Sequence, residues 1–247
     1  MRNISIAARA SIAAVAVAVI GGGAALAQGQ ADQRQGRTAF IVRIANVSTE
    51  TTLQTSQGPK PVPLSPGVFA VYRGDNVLFR AGRNADRGTE LIAEDGFTSV
   101  EVSGLVGRSR VRDGGVFEQI GGMLGPAFEP GSSATFRLVA RPGDRLSLET
   151  MFVQSNDWFY GFPGLALFRN GRPISGNVTN RIRLYDAGTE VDEEPGAGTF
   201  QKPNQGPNDV NVGPGENEPV QLQSRTGDGF AVPPTSAVIR VTIQPVR

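Results

Sequence analysis

Short runs of apolar and β-branched residues recur along the chain, and clusters of glycine and proline separate them. The run at 236–246 alternates apolar and polar side chains, which is the pattern of a strand with one buried face. The segments 136–140 and 146–150 flank Arg-Pro-Gly-Asp, where proline fixes φ and glycine permits a positive φ, so a turn is predicted there. The predicted strands are 38–48, 67–73, 76–80, 97–105, 133–140, 146–153, 164–168, 180–185 and 236–246.

This pattern favours an all-β fold in which antiparallel strands form a β-sandwich. Helical periodicity is too rare to cover a parallel sheet; the best helical segment is 83–95, and at most one or two short helices are expected. Prolines and glycines break the segment 51–66, which is predicted to be a loop or an edge strand. The segment 187–235 is rich in glycine, proline, asparagine and acids, which predicts a long loop near the C-terminus, either ordered or partly disordered. We expect one domain over residues 38–247.

Residues 1–27 have the pattern of a secretory signal peptide. A positively charged start is followed by an apolar stretch over 12–20 and by small residues that end at Ala27. The apolar stretch is too short to cross the ~30 Å hydrocarbon core of a membrane as a helix. We therefore expect cleavage after Ala27 and a flexible lead-in over 28–37. The mature protein should be periplasmic or secreted, with no transmembrane segment.

Composition limits the chemistry that the chain can perform. The sequence carries 24 basic and 23 acidic residues, so removal of Arg2 and Arg9 with the signal peptide would leave 22 basic residues and a net charge of −1. A neutral chain argues against nucleic-acid binding, which needs a basic surface to replace condensed counterions. The absence of cysteine and histidine excludes a zinc site built from those residues and removes the commonest general base. A metal would be held by oxygen, which selects calcium, magnesium or manganese.

Two short polar clusters follow predicted strands. Residues 155–161, SNDWFYG, contain Asp157, and residues 185–190, YDAGTE, contain Asp186. If the two preceding strands are neighbours whose ends share one edge of a sheet, Asp157 and Asp186 converge. Two carboxylates a few ångströms apart raise each other's pKa unless a cation lies between them. The alternative is that both are turn residues whose side chains bond to the local backbone.

The long loop adds local negative charge. Residues 186–218 contain eight acidic residues and one basic residue, Lys202, although the whole chain is close to neutral. Such an excess attracts cations, and calcium takes six to eight oxygen ligands from carboxylates, carbonyls and water. Either Glu190 or Asp192 is a candidate further ligand. The alternative is that these acids are solvated surface residues, as loop acids usually are.

At these two clusters the chain resembles the spondin domain, the module near the N-terminus of F-spondin that also occurs alone in bacterial exported proteins. The segment MFVQSNDWFYGF at 151–162 resembles the family's strand and its Ser-Pro/Asn-Asp turn. The segment LYDAGTE at 184–190 resembles its Asp-Ala-Gly-Thr-Asp/Glu motif. Supporting matches are VRIANVS near the start, PGVFAVYR at 66–73, GTELIAEDG at 88–96 and SAVIRVTI near the end.

The resemblance implies a C2-like antiparallel β-sandwich with one calcium ion at a loop edge. It also implies that the ion is held by Asp157, by Asp186 and by a main-chain carbonyl shortly before the second motif. In this chain that carbonyl falls on Ile182 or Arg183.

Together these observations predict an exported, calcium-binding recognition or adhesion module without catalytic activity. Its expected partner is a protein or glycan of the cell envelope or the surroundings. Two alternatives stay open. One is a secreted hydrolase that uses Asp157 and Asp186 as its acid and base. The other is a passive structural protein of the envelope, whose ion only stabilises loops.

Overall fold

A computed structural model describes residues 36–119, 127–206 and 209–246, in which β-strands are the main regular structure. The predicted signal peptide and nearly all of the predicted lead-in lie outside these residues. The strands are β1 (Thr38–Asn46), β2 (Leu53–Thr55), β3 (Gly58–Lys60), β4 (Leu64–Tyr72), β5 (Val111–Phe117), β6 (Ser133–Ala140), β7 (Arg145–Phe152), β8 (Trp158–Gly161), β9 (Leu165–Ala166), β10 (Phe168–Arg169), β11 (Arg172–Pro173), β12 (Gly176–Asn177), β13 (Arg183–Asp186), β14 (Gln221–Leu222) and β15 (Ile239–Pro245). The α-helices are α1 (Arg87–Asp95), α2 (Ser99–Gly104) and α3 (Thr235–Val238), and short 3-10 helices lie at Thr179–Arg181, Lys202–Asn204 and Gln223–Arg225. None of the described helices has the length and apolar character needed to span a membrane.

Two antiparallel sheets carry the fold. The smaller has the strand order β12–β15–β1–β6, and the larger has the order β14–β13–β8–β7–β4–β5, with β9 also paired to β7. Two separate hairpins, β2–β3 and β10–β11, lie outside the sheets. The predicted all-β antiparallel fold is therefore confirmed. Strands β1 and β15 pair along their length, so the beginning and the end of the described chain are neighbours in one sheet.

The two sheets pack face to face through a shared apolar core. β1 contributes Phe40, Val42 and Ile44, alternate residues that share one face of the strand. From the larger sheet, Trp158 and Tyr160 of β8 enter the same core and are fully buried. Burial of each large apolar side chain stabilises the fold by roughly 1.5–3 kcal/mol.

The opposite face of the larger sheet is also buried. Phe159 on β8 and Tyr185 on β13 belong to a second apolar cluster, together with Ile92 of α1. The ring of Phe79 lies 5.0 Å from that of Phe159 and 4.8 Å from that of Tyr185, centroid to centroid. The larger sheet is thus covered on both faces. For this reason β7 is buried almost without interruption and lacks the alternation of buried and exposed residues seen in a strand with one solvent-facing side.

The structure corrects several predicted elements. The segment 97–105, predicted as a strand, forms α2, because packing against α1 overrides its β-branched composition. The segment 76–80, also predicted as a strand, is a loop. Strands β5 and β8 were not predicted, since β5 carries two glycines and β8 has only four residues. The helix expected within 83–95 is confirmed as α1, but with α2 and α3 the described residues contain more helices than expected.

A layer of buried acidic side chains lies between α1 and the larger sheet. Asp86 caps α1, and its Oδ1 accepts hydrogen bonds from the backbone of Gly88 and Thr89, both at 3.1 Å. Beneath the helix, Glu149 of β7 is fully buried; its Oε1 accepts a bond from the Thr89 hydroxyl at 3.2 Å, whereas its Oε2 has no partner. Glu101 of α2 is buried too, and the charge of Asp86 acts on it.

Burial and mutual repulsion raise the pKa of Glu149 and of Glu101. Burial raises the pKa of Glu149 well above its ordinary value, and the charges of Glu101 and Asp86 raise it further. Burial, followed by the charge of Asp86, raises the pKa of Glu101 to about 8. The folded protein therefore keeps protons on these groups at pH values where the unfolded chain has lost them. Their favourable contribution is complete below the unfolded pKa and is lost as pH rises through the folded pKa.

We expect the free energy of unfolding, measured with a chelator present, to decrease between about pH 5 and pH 9. Glu149→Gln keeps the shape of the side chain and removes its titration, so the decrease should be smaller in that variant. Glu50→Gln makes the same change at an exposed position and should keep the wild-type slope. Chemical denaturation at several pH values measures all three proteins. Equal slopes in wild type and Glu149→Gln would contradict a protonated Glu149.

Candidate metal centre

Two adjacent strands of the larger sheet bring the predicted aspartates together. Asp186 is the last residue of β13 and pairs with Trp158, the first residue of β8. Asp157 immediately precedes β8. Because the two strands are antiparallel, the start of one lies beside the end of the other, and both aspartates reach the same edge of the sheet. Asp157 and Asp186 are 0% and 1% exposed.

The turn that follows β13 wraps around the carboxylate of Asp157. Asp186 Oδ1 accepts a bond from Gly188 N at 2.7 Å, and the φ of +67° at Gly188 reverses the chain. The amides of Thr189 and Glu190 then donate to Asp157 Oδ2 at 2.8 and 3.1 Å. The Thr189 hydroxyl donates to the same oxygen at 3.2 Å. The Asp-Ala-Gly-Thr-Glu segment thus holds one oxygen of Asp157 and leaves the other for a different partner.

Asp192 completes a group of three carboxylates. One oxygen from each of Asp157, Asp186 and Asp192 lies within 4.8 Å of the other two. Asp192 is positioned by Trp158, whose indole Nε1 donates to its Oδ1 at 2.7 Å. Since the indole ring belongs to the core between the sheets, the core itself holds this loop residue at the site.

Glu190, the other further ligand considered, directs its carboxylate elsewhere. Its Oε1 accepts a bond from Gly213 N at 3.0 Å, and its Oε2 accepts one from the Asn156 amide at 3.5 Å. Burial raises the pKa of this carboxyl, whereas the bond from Gly213 lowers it. The Glu190 side chain therefore fastens one part of the long loop to another, while its backbone amide holds Asp157.

The three carboxylates have no basic partner. Among residues 36–119, 127–206 and 209–246, no lysine or arginine forms an ion pair with any of them. Burial raises the pKa of Asp157 well above its ordinary value, and the charge of Asp186 raises it further. Burial likewise raises the pKa of Asp186. Burial, followed by the charge of Asp186, raises the pKa of Asp192 to about 7. Such carboxylates are neutralised either by protons or by a cation.

One oxygen in this group has no partner among the residues that the structure describes. Asp157 Oδ1 is buried and has no hydrogen-bond partner. Leaving a buried polar atom unsatisfied costs about 1–3 kcal/mol, and more for a charged one. Calcium–oxygen bonds are about 2.3–2.6 Å long, so two ligands of one ion lie up to about 5 Å apart. The spacing of the three carboxylates is within that limit, and the group fits a hard cation with oxygen ligands.

The predicted main-chain ligand lies elsewhere. Ile182 is four residues before Asp186, and Arg183 pairs with Gly161 at the far end of β8. At about 3.3 Å per residue, Ile182 and Arg183 are roughly 10–13 Å from Asp186 along the strand, too far to share one ion with it. The carbonyl oxygen of Ile182 instead accepts a bond from the Arg183 guanidinium at 2.8 Å. The described backbone therefore does not bring a carbonyl of Ile182 or Arg183 to the three aspartates, and that ligand stays a prediction.

Lys202, the single basic residue among residues 186–218, forms its ion pair away from the three aspartates. Lys202 Nζ lies 2.9 Å from Asp95 at the end of α1, and it also lies 5.4 Å from the centroid of the Phe97 ring. On the same side, the Asn211 side chain donates to Glu90 at 2.6 Å. These contacts attach the loop to α1, and they leave the charge of the three aspartates unbalanced.

Comparisons with known proteins add no family to this description. No model of a known protein family matches the chain, and no curated protein matches it either. The resemblance to spondin domains therefore rests on the two sequence motifs and stays a prediction. The proposed function therefore rests on the geometry of the three aspartates.

Gly188 should be essential to the turn. A Cβ at this position would lie 2.5 Å from the carbonyl oxygen of Glu218, in addition to the strain of a positive φ. Gly227 has a φ of +82° with open space around a Cβ, so Gly227→Ala is a matched control. We expect Gly227→Ala to lower the free energy of unfolding by about 1–2 kcal/mol and Gly188→Ala to lower it by about 1–3 kcal/mol more. Chemical denaturation measures both, and equal losses would show that Glu218 gives way without cost.

Proposed function

We propose that this protein is an exported calcium-binding module for recognition or adhesion, without catalytic activity. The observation that carries the proposal is the group formed by Asp157, Asp186 and Asp192. Within the described part of the chain, one buried oxygen of this group has no partner and no basic residue forms an ion pair with it. A divalent cation held by these three residues would turn their mutual repulsion into attraction to a common centre. Water would supply the remaining ligands, as is common for calcium.

Calcium suits this group better than magnesium. All three side-chain ligands would be carboxylates, one at the end of a strand and two in irregular backbone, and calcium accepts flexible coordination geometry. Magnesium demands a near-ideal octahedron and usually keeps several of its waters.

Burial of the same carboxylates supports binding rather than hydrolysis. A glycosidase places its two carboxyl groups on either side of a scissile bond, so substrate must reach both. Asp157 and Asp186 are almost completely enclosed, and the backbone after β13 occupies one oxygen of Asp157. An ion at this place would instead set the shape of the surrounding loops, and loops on a rigid scaffold are where proteins commonly bind partners. The proposed partner is a protein or glycan of the cell envelope or the surroundings.

Calcium should raise the melting temperature of the mature protein. Binding to the folded state alone adds RT ln(1 + [L]/Kd), about 2.7 kcal/mol when calcium is a hundredfold above Kd. Asp157→Asn, Asp186→Asn and Asp192→Asn each remove one charge with little change of shape, so each should abolish most of the shift. Trp158 fluorescence should report binding, since its indole is bonded to Asp192. Calorimetric unfolding in calcium, magnesium and chelator measures the effect, and magnesium should substitute poorly.

The exposed Glu50→Gln provides the control for this series, because it removes the same charge away from the three aspartates. It should keep the full calcium-dependent shift. The metal centre would be refuted if the wild type melted at one temperature in calcium and in chelator and titration calorimetry showed no binding heat.

Recognition needs a separate experiment. Mature protein on a support should retain a specific envelope protein or glycan in calcium and release it when chelator is added. Asp157→Asn should retain much less of the same partner, whereas Glu50→Gln should behave as wild type. Retention that is insensitive to both chelator and Asp157→Asn would separate recognition from the ion. A bound ion without any calcium-dependent partner would favour the passive structural role.

A further inference from the structure

A second charged site of opposite sign lies at the other end of α1. A cleft of about 360 Å³ opens between the loop that joins β4 to α1 and the loop that joins α2 to β5. Four arginines line it, Arg80, Arg83, Arg108 and Arg110. Their side chains converge from two separate loops, which is why no local sequence motif marks the site.

The acids in the cleft do not balance these arginines. Asp75 is shared, with its Oδ2 lying 3.1 Å from Arg80 and 3.6 Å from Arg110. Asp86 is engaged as the cap of α1. Arg83 forms no side-chain hydrogen bond or ion pair within the described ranges. The cleft therefore carries a net positive charge of roughly two, with one guanidinium wholly available to a ligand.

An amide in the same cleft also lacks an acceptor. Asn76 lines the cleft, and its Nδ2 is buried without a hydrogen-bond partner. Its Oδ1 accepts a bond from Leu78 N at 3.1 Å, which fixes the orientation of the amide and leaves Nδ2 as a donor. Buried donors without acceptors are rare, and this one belongs to a residue that lines the cleft.

We propose that this cleft binds a phosphate or sulfate group, either as a free anion or as the anionic group of a small molecule. Guanidinium groups match the paired oxygens of such anions and bind them through charge-assisted hydrogen bonds. The volume suits a small ligand rather than a macromolecular segment. The site is independent of the metal centre. Asp86 stands at the cleft end of α1, whereas Glu94, near the other end, is close to Thr189 of the metal centre.

Titration calorimetry with inorganic phosphate and inorganic sulfate tests the proposal, with chelator present and the ionic strength fixed by sodium chloride. The wild type should bind at least one of these anions saturably. Arg83→Gln removes the available guanidinium and should weaken binding about ten- to a hundredfold. Asn76→Asp keeps the acceptor for Leu78 N but replaces the donor with a negative oxygen, so it should abolish binding. A small phosphate monoester in a parallel titration shows whether an organic group adds affinity.

The matched control is Arg172→Gln, which removes an exposed arginine from β11, and it should keep wild-type affinity. Asp157→Asn should also keep it, so failure of the metal centre and failure of this site are distinguishable. The proposal is overturned if neither anion gives a saturable heat, or if Arg83→Gln and Arg172→Gln bind equally well. Binding to vesicles of anionic lipid without binding to either free anion would overturn it too, in favour of a membrane-surface role.

Discussion

The repulsion between carboxylates buried side by side governs one whole edge of this molecule. Asp186 ends β13 and Asp157 immediately precedes the adjacent strand β8, where water cannot screen them, and Asp192 joins them from the loop that follows β13. Local structure holds the three together against this repulsion, through the amides of Thr189 and Glu190 and the indole of Trp158. Such an arrangement is stable only when the charge is neutralised. Neutralisation of the charge on the three aspartates therefore affects three features at once: the pairing of β8 with β13, the turn after β13 and the position of the long loop.

The larger sheet buries acids in two places, and the surroundings decide how each is neutralised. Glu149 lies beneath α1, next to Glu101, where a helix closes the space and a hydroxyl bonds one of its oxygens. That environment favours neutralisation of Glu149 by a proton. Asp157 lies instead at the edge of the sheet, and Asp192 beside it is only partly buried, so an ion from solvent can approach. Burial alone is therefore not enough to suit a site to a cation. At the second site three carboxylates converge, one buried oxygen of Asp157 has no partner among the described residues, and Asp192 is only partly buried.

The sequence predicted those features that depend on nearest neighbours along the chain. The antiparallel all-β fold, the helix within 83–95 and the convergence of Asp157 with Asp186 all follow from strand-like runs and the polar residues at their ends. Features set by packing were missed. The segment 97–105 has the composition of a strand, yet its position against α1 makes it helical. The separation of Ile182 from Asp186 was not evident from the sequence either, since it follows from the extended backbone of β13. For the further ligand, the sequence left Glu190 and Asp192 as alternatives. The position of Asp192 depends on the indole of Trp158, which is distant from it in sequence.

The same indole explains how an ion could act on a surface larger than its own coordination shell. The long loop has few large apolar residues, so polar contacts must order it, and many of these come from the segment 154–158. Asn156 Oδ1 accepts a bond from Glu193 N at 3.2 Å, and Gln154 O accepts one from Gly196 N at 2.8 Å. Residues 186–196 thus lie alongside residues 154–158, and the three aspartates lie where these two segments meet. Removing the neutralising charge there would set repulsion against every one of these bonds. The loop surface, rather than the buried carboxylates, is consequently where a partner would sense the ion.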